Sequence, residues 1–281
     1  MRVHLIAVPY DSGRRGERLG AGPVVLQPLL AERLGAAGYD VRPSTVEMPA
    51  DVWGGEIRAA FVLAHGVAGA VREARAAGAF PLVLSGNCGP AAIGCVAGIG
   101  GAPAVCWFDA HGDFNTPETT VGGFLDGMAL ATLTGRCWRQ LTRDIDGFQP
   151  VDEDQVALIG ARDLDPLEAE SIAASPLRRV AVTSWRTDLG PALASIAGSP
   201  DGTYLHLDLD VLDPFEGRIN CYAAPGGFSR ADAAEAIGRI AREADLAAAA
   251  ITSFDPAADP SRRSLEAAVS LGADLIQAVL T

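Results

Sequence analysis

Tyr204-Leu205-His206-Leu207-Asp208-Leu209-Asp210-Val211-Leu212-Asp213-Pro214 is the stretch whose reading decides the fold. It opens as a short apolar run, predicted as a strand over 204–209, and closes in carboxylates at alternate positions ahead of a Pro. Working outward, similar runs predict strands over 3–8, 81–84, 104–108, 155–159, 179–182 and 248–253. Ala-rich amphipathic stretches between them predict helices over 23–34, 57–76, 90–97, 128–133, 166–174, 190–196, 230–241 and 263–280. Strands separated by helices return in the same direction. The sequence therefore predicts an α/β fold, three-layer α/β/α with a mostly parallel central sheet covered on both faces. No composition shift, linker or internal repeat interrupts residues 1–281, which are expected to form a single domain.

All 22 cations are Arg, because the chain has no Lys. Chemistries that need a tunable ammonium, such as a Schiff-base enzyme or a phosphate loop with its reaching Lys, are excluded. Asp and Glu number 35 and leave a net charge of −13, which argues against a nucleic-acid or anionic-membrane surface. With 49% hydrophobic and 20% charged residues, the composition is that of a soluble globular protein. Met1 to Pro9 lacks the long apolar run and cleavage site of a signal peptide, and no segment has the length of a membrane span. Cys88, Cys95, Cys106, Cys137 and Cys221 are odd in number and lack a CxxC pair, which suits a reducing, cytoplasmic location. The chain runs from its last predicted helix to Thr281 without a trailing arm, so a monomer is expected.

In parallel sheets the ligand site lies beyond the carboxyl ends of the strands. Gly98-Ile99-Gly100-Gly101 precedes a strand instead of opening a helix after one, and reads as a turn. After the strand over 104–108 comes Asp109-Ala110-His111-Gly112-Asp113, with potential ligands at alternate positions that an extended chain turns to one side. Asp208-Leu209-Asp210 repeats the pattern at its own strand end. Asp109, Asp113, Asp208 and Asp210 crowded at a partly desolvated edge repel and take up protons unless cations neutralise them. Two divalent metals with bridging carboxylates would do so.

These two segments resemble the signature segments of the ureohydrolases, the arginase and agmatinase enzymes with binuclear manganese. Pro9-Tyr10-Asp11-Ser12-Gly13 and Gly20-Ala21-Gly22-Pro23 are similar to the family's opening strand and loop, and Gly226-Gly227-Phe228 to a later Gly-Gly-Leu turn. The resemblance implies an arginase-like ureohydrolase fold with two Mn2+ ions. Asp109 and Asp208 would bridge both, Asp113 would complete metal A, and His111 with Asp210 would complete metal B. The family's remaining ligand to metal A is a His in a Gly-Gly-Asp-His segment, which reads Ser85-Gly86-Asn87-Cys88 here. Cys88 is thus expected as a thiolate ligand, the alternative being a small buried core residue. The carboxylates favour manganese, while a thiolate opens the site to zinc, cobalt or iron.

Other positions depart from the family. Residues 114–127 align with arginases without a gap; the proton-shuttling His falls on Asp126, and the polar residues that hold the substrate α-carboxylate fall on Gly122 and Phe124, with Asn115 retained. The guanidinium-binding Glu falls on Ser253 of Ser253-Phe254-Asp255-Pro256. Leu158 to Glu168 resembles arginase in particular, so Asp165 and Glu168 inherit contact with the substrate α-amino group, and both also suit a helix N-terminus. A protonated guanidinium loses its counter-ion at Ser253, whereas N-hydroxylation lowers guanidine basicity and adds a hydroxyl. The expected reaction is hydrolysis of Nω-hydroxy-L-arginine to hydroxyurea and L-ornithine by a metal-bridging hydroxide. Asp113 would carry the proton to the departing nitrogen, with Asp126 assisting. In these departures the chain is similar to the hydroxyarginine-hydrolysing branch of the family in antibiotic biosynthesis. Its rivals are an arginase acting on L-arginine, an agmatinase that leaves Asp165 and Glu168 without an α-amino partner, and a non-catalytic metal-binding homologue.

His4, His65 and His206 are expected as packed residues, although His206 stands two residues from Asp208 and within reach of the site. Arg14, Arg15 and Arg18 in the first loop read as carboxylate binders at the pocket border or as a solvated basic edge.

Overall fold

The computed structural model describes residues 1–50, 55–196 and 198–280; Thr281, on which the expectation of a monomer rested, lies outside them. The central sheet has strands β1 (Arg2–Val8), β2 (Asp40–Thr45), β3 (Ala79–Ser85), β4 (Ala104–Phe108), β5 (Val156–Ile159), β6 (Arg178–Val180), β7 (Thr203–Asp208) and β8 (Leu246–Thr252). Their spatial order is β2-β1-β3-β8-β7-β4-β5-β6, with every pair parallel. The helices are α1 (Ala21–Ala36), α2 (Glu56–Ala76), α3 (Cys88–Ile99), α4 (Ala129–Leu133), α5 (Arg139–Arg143), α6 (Pro166–Ala174), α7 (Trp185–Ile196), α8 (Arg230–Glu243) and α9 (Arg263–Leu280).

Successive strand residues point to opposite faces, and both faces are dry. Ala104, Cys106 and Phe108 of β4 enter one core with α1, α7, α8 and α9, while Val105 and Trp107 enter the other with α2, α3 and α4. Tyr204 of β7 joins Trp107, and Leu205 and Leu207 join Phe108. This is the three-layer α/β/α arrangement expected from strands without a polar face. Truncating a side chain such as Trp107, fully buried here, costs about 3–5 kcal/mol in transfer and cavity terms.

Strand β2 corrects the sequence reading, which left 40–45 out. Asp40, Arg42 and Pro43 break any apolar run, and the strand tolerates them because it lies at the sheet edge with only β1 beside it. Helix α7 starts at Trp185, so Gly190 and Pro191 are interior residues and not its beginning. Helix α5 and a small antiparallel pair, Tyr10–Asp11 with Arg14–Arg15, were also not foreseen. Among the described residues no helix is long and apolar enough to cross a membrane. The five cysteines are free.

Register positions the site. Thr252 of β8 stands level with Ser85 of β3 on one side and with Asp208 of β7 on the other. Phe108 pairs with Leu207, which sets Asp109 beside Asp208. The carboxyl ends of four adjacent central strands thus open onto one place.

Candidate metal centre and active site

Gly86 leads from β3 into α3, and a side chain there would run into the Tyr10 carbonyl oxygen, so only Gly allows the opening loop this close. Helix α3 begins at Cys88. Asp126 meets its first turn, accepting the Asn87 amide and the backbone N–H groups of Cys88 and Gly89, each at 2.9 Å. These donors have no partner within the helix, so the carboxylate closes the helix end and fixes the sulfur. Burial lifts Asp126 to about 6 even against those bonds.

Carboxylates at i and amides at i+2 bond alike at the two signature segments. Asp109 Oδ1 accepts the His111 N–H at 2.7 Å, and Asp208 Oδ1 accepts the Asp210 N–H at 2.9 Å. Each Asp thus folds the chain after its strand into a tight turn. This corrects the extended geometry expected from alternate spacing: Leu209–Val211 is a short 3-10 turn, and the strand ends at Asp208. Asp113 and Ser253, two further site residues, hold left-handed backbones at φ 48° and 66°, strained for residues with a Cβ.

The donors converge. Cys88 Sγ lies 3.0 Å from Asp208 Oδ2, which also accepts from the Ser253 hydroxyl. His111 Nδ1 is 3.2 Å from Asp109 and 3.5 Å from Asp210. Cys88, Asp109 and Asp113 form one group whose ligand atoms lie within 4.8 Å of one another; Asp109, His111 and Asp210 form a second, and Cys88, His206 and Asp208 a third. Cys88 and Asp109 each belong to two of these groups, and Asp208 to one.

Without a cation these groups distort one another's acidity. Burial, then the neighbouring carboxylates, push Asp113 and Asp208 well above the usual range and Asp210 to about 6. The same causes push the Cys88 thiol far up. Burial opposes protonation of His111, yet its bond to Asp109 and the charge of Asp210 raise it to about 10. A buried set of carboxylates, imidazole and sulfur that must otherwise hold protons is chemically matched to divalent cations. The residues present therefore fit a metal pair.

Beneath the donors lies a layer that sequence reasoning largely missed. Trp107 Nε1 donates to Asp109 at 3.1 Å and its ring stacks on His206 at 3.7 Å. His206 bonds Tyr204 at 2.8 Å and Thr252 at 3.3 Å, and burial lowers it to about 3, so it is the packed neutral residue expected, with a ring nitrogen also near Cys88 and Asp208. Asn220 donates to Asp210 at 3.3 Å and to the Ser253 carbonyl at 2.9 Å. Arg162 donates to the carbonyls of Asp210 and Ala224 at 3.1 and 2.8 Å, clamping the turn. Asp213 accepts the N–H groups of Gly226 and Gly227 at 2.7 and 3.1 Å. His206 and Asp213 carried a sequence signal, both lying in the opening stretch.

A cavity of about 460 Å³ brings together Cys88, His111, Asp113, Asp208, Asp210 and Ser253 on the metal side. Asn115, Asp126, Asp165 and Glu168 line it as well. Asp165 is the N-cap of α6, ahead of Pro166, and Glu168 reaches back to its N–H at 3.3 Å while accepting the Phe114 N–H at 2.9 Å. Asn115 donates to Asp165 at 3.1 Å. Helix capping and pocket lining hold together here.

Residues 1–280 match the model of the arginase family. The arginase of Bacillus caldovelox is 28% identical, covering 96% of each chain. That of Brevibacillus brevis is 32% identical over 73% of this chain and 71% of its own. The crystal structure of arginase from Bacillus cereus superposes with a TM-score of 0.85 at 29% identity, over 98% of both chains. The chain belongs to the arginase family, whose members are hydrolases acting on guanidino and amidino groups.

Proposed function

We propose that the protein hydrolyses Nω-hydroxy-L-arginine to hydroxyurea and L-ornithine at a binuclear manganese centre. Asp109 and Asp208 would bridge the ions, Cys88 and Asp113 would complete one, and His111 and Asp210 the other. When bound, the metals supply an activated water nucleophile at neutral pH and stabilise the charge that develops at the substrate carbon. The C–O bond forms as the bond from that carbon to the ornithine nitrogen breaks. Asp113 conveys the proton to this leaving nitrogen from its place on the cavity wall. Asp126 also lines the wall as an assisting acid, although its oxygens are engaged at the start of α3. Asp165, Glu168 and Asn115 orient the amino-acid end.

What supports hydroxyarginine over arginine is Ser253, whose hydroxyl stands against Asp208 and near Cys88 where the resembled family carries a carboxylate. A neutral hydroxyguanidine needs no counter-ion there. Hydrolysis of L-arginine itself is the second reading, favoured by the names of the relatives. Ser253→Glu tests the choice: it is expected to shift kcat/KM toward arginine by about tenfold, the value of one charge-assisted contact. An unchanged ratio in a folded, metal-loaded variant counts against the role of Ser253.

A further inference from the structure

Arg18 takes no part in the chemistry above, yet its position is built. Its backbone sits in the left-handed region at φ 47°, which residues with a Cβ seldom occupy. Two contacts accompany this conformation: Nε pairs with Asp11 at 3.1 Å, a carboxylate only 2% exposed, and Nη2 donates to the Tyr222 hydroxyl at 2.9 Å. Arg14 and Arg15 of the same loop instead form exposed pairs with Glu17 and Glu47. Among the described residues, Nη1 of Arg18 has no hydrogen-bond partner.

Its bond to Tyr222 ties this guanidinium to the wall of the active-site cavity. The Tyr222 ring lines the cavity and stacks on Phe124, another lining residue, with centroids 5.5 Å apart, and Leu19 follows Arg18 into the same wall. Much of the remaining lining is acidic, including Asp113, Asp165, Glu168, Asp208 and Asp210. No described residue of the lining is an Arg, and His111 at the metal end is its one basic side chain. An amino acid entering such a cavity finds partners for its ammonium, while its carboxylate meets like charge. A guanidinium fork at the rim reverses that repulsion and matches a carboxylate in shape.

We propose that Arg18 is a specificity residue that receives the substrate α-carboxylate, held at the cavity rim by Tyr222, and so selects amino acids over their decarboxylated amines. This rests on the hydrolysis of a guanidino amino acid proposed above.

The test compares Nω-hydroxy-L-arginine with decarboxylated Nω-hydroxyagmatine as substrates of the manganese-loaded wild type and Arg18→Gly. Gly adopts φ 47° without strain, so the loop is kept. The wild type is expected to prefer the amino acid, and the variant to lose about 10- to 100-fold of that preference through KM. Calorimetric affinities for L-ornithine against putrescine should shift in parallel, and Arg18→Lys should restore part of the preference. Should Arg18→Gly misfold with Asp11 unpaired, the double variant Asp11→Asn with Arg18→Gly carries the same comparison. A preference unchanged within about twofold overturns the role of Arg18 and leaves the proposed reaction standing. A wild type with no preference between the two substrates overturns it as well. A wild type that hydrolyses neither substrate overturns the reaction, and this proposal with it.

Discussion

Asp126 accepts the backbone N–H of Cys88 at 2.9 Å, so the two positions at which the sequence departs from His residues of the resembled family are in direct contact. Neither departure stands alone. The carboxylate also takes the N–H of Gly89 and the amide of Asn87, which makes it the closure of α3. Asp126→Ala is expected to destabilise the fold by about 2–3 kcal/mol and to weaken metal binding at the same time. Urea unfolding and metal titration of the same preparations check this. Asp126→Asn keeps one acceptor oxygen but turns an NH2 group toward N–H donors at the other position, so it should lose part of this stability. An Asn variant that is folded and metal-loaded yet inactive assigns Asp126 to proton transfer.

Cys88 Sγ reaches Asp208 at 3.0 Å and shares a ligand group with Asp109 and Asp113. The cobalt-loaded protein should therefore show a near-ultraviolet thiolate-to-cobalt charge-transfer absorption. Cys88→Ala should abolish it and lower cobalt occupancy. Persistence of that absorption in the variant would assign Cys88 to the core alone.

Crowded acids give the metal-free protein a definite pH dependence. Burial and Asp109 raise folded Asp210 to about 6, and Asp113 and Asp208 are raised further from ordinary values, so the folded state binds more protons than the unfolded one. Stability from these carboxylates is present below their unfolded pKa near ~4 and is lost as pH rises through the raised folded values. His111, raised to about 10, loses its contribution only between its unfolded pKa of 6.5 and that value. The Tm of the chelator-treated protein should fall by on the order of 5 °C between pH 5 and 7.5. A bound divalent cation would keep the carboxylates ionised, so the loaded protein should show little change over that window.

Glu168 joins the pocket to the fold, because its carboxylate accepts the N–H groups of Phe114 and Asp165 while lining the cavity. Glu168→Ala is expected to cost about 1–3 kcal/mol in stability and to raise KM as well. Asp165→Asn, whose residue is only partly buried, should raise KM about tenfold with a smaller stability effect. Denaturation and steady-state kinetics on both variants separate the two contributions.

Legibility in the sequence followed the physics of each residue. The alternating acids at Asp109, Asp113, Asp208 and Asp210 stand out because such spacing at strand ends is hard to maintain without a cation, and the structure brings them together. The turn that unites each pair was not legible, since an Asp bonding the amide at i+2 and an extended strand share the same spacing. Edge strand β2 escaped because an edge needs no apolar run. Asn220 and Arg162 escaped for another reason: each is an ordinary polar residue until its partners arrive, Ser253 for one and Asp210 and Ala224 for the other. Cys88 was legible only through the family resemblance, because nothing in Ser85-Gly86-Asn87-Cys88 itself indicates Asp208 beside the sulfur.

The central claim is the choice of substrate, and a competition assay tests it most directly. The manganese-loaded protein is given equimolar L-arginine and Nω-hydroxy-L-arginine, and urea and hydroxyurea are quantified at early conversion. Hydroxyurea in clear excess is the expected result; urea in excess contradicts the claim and makes the protein an arginase in activity as well as in family.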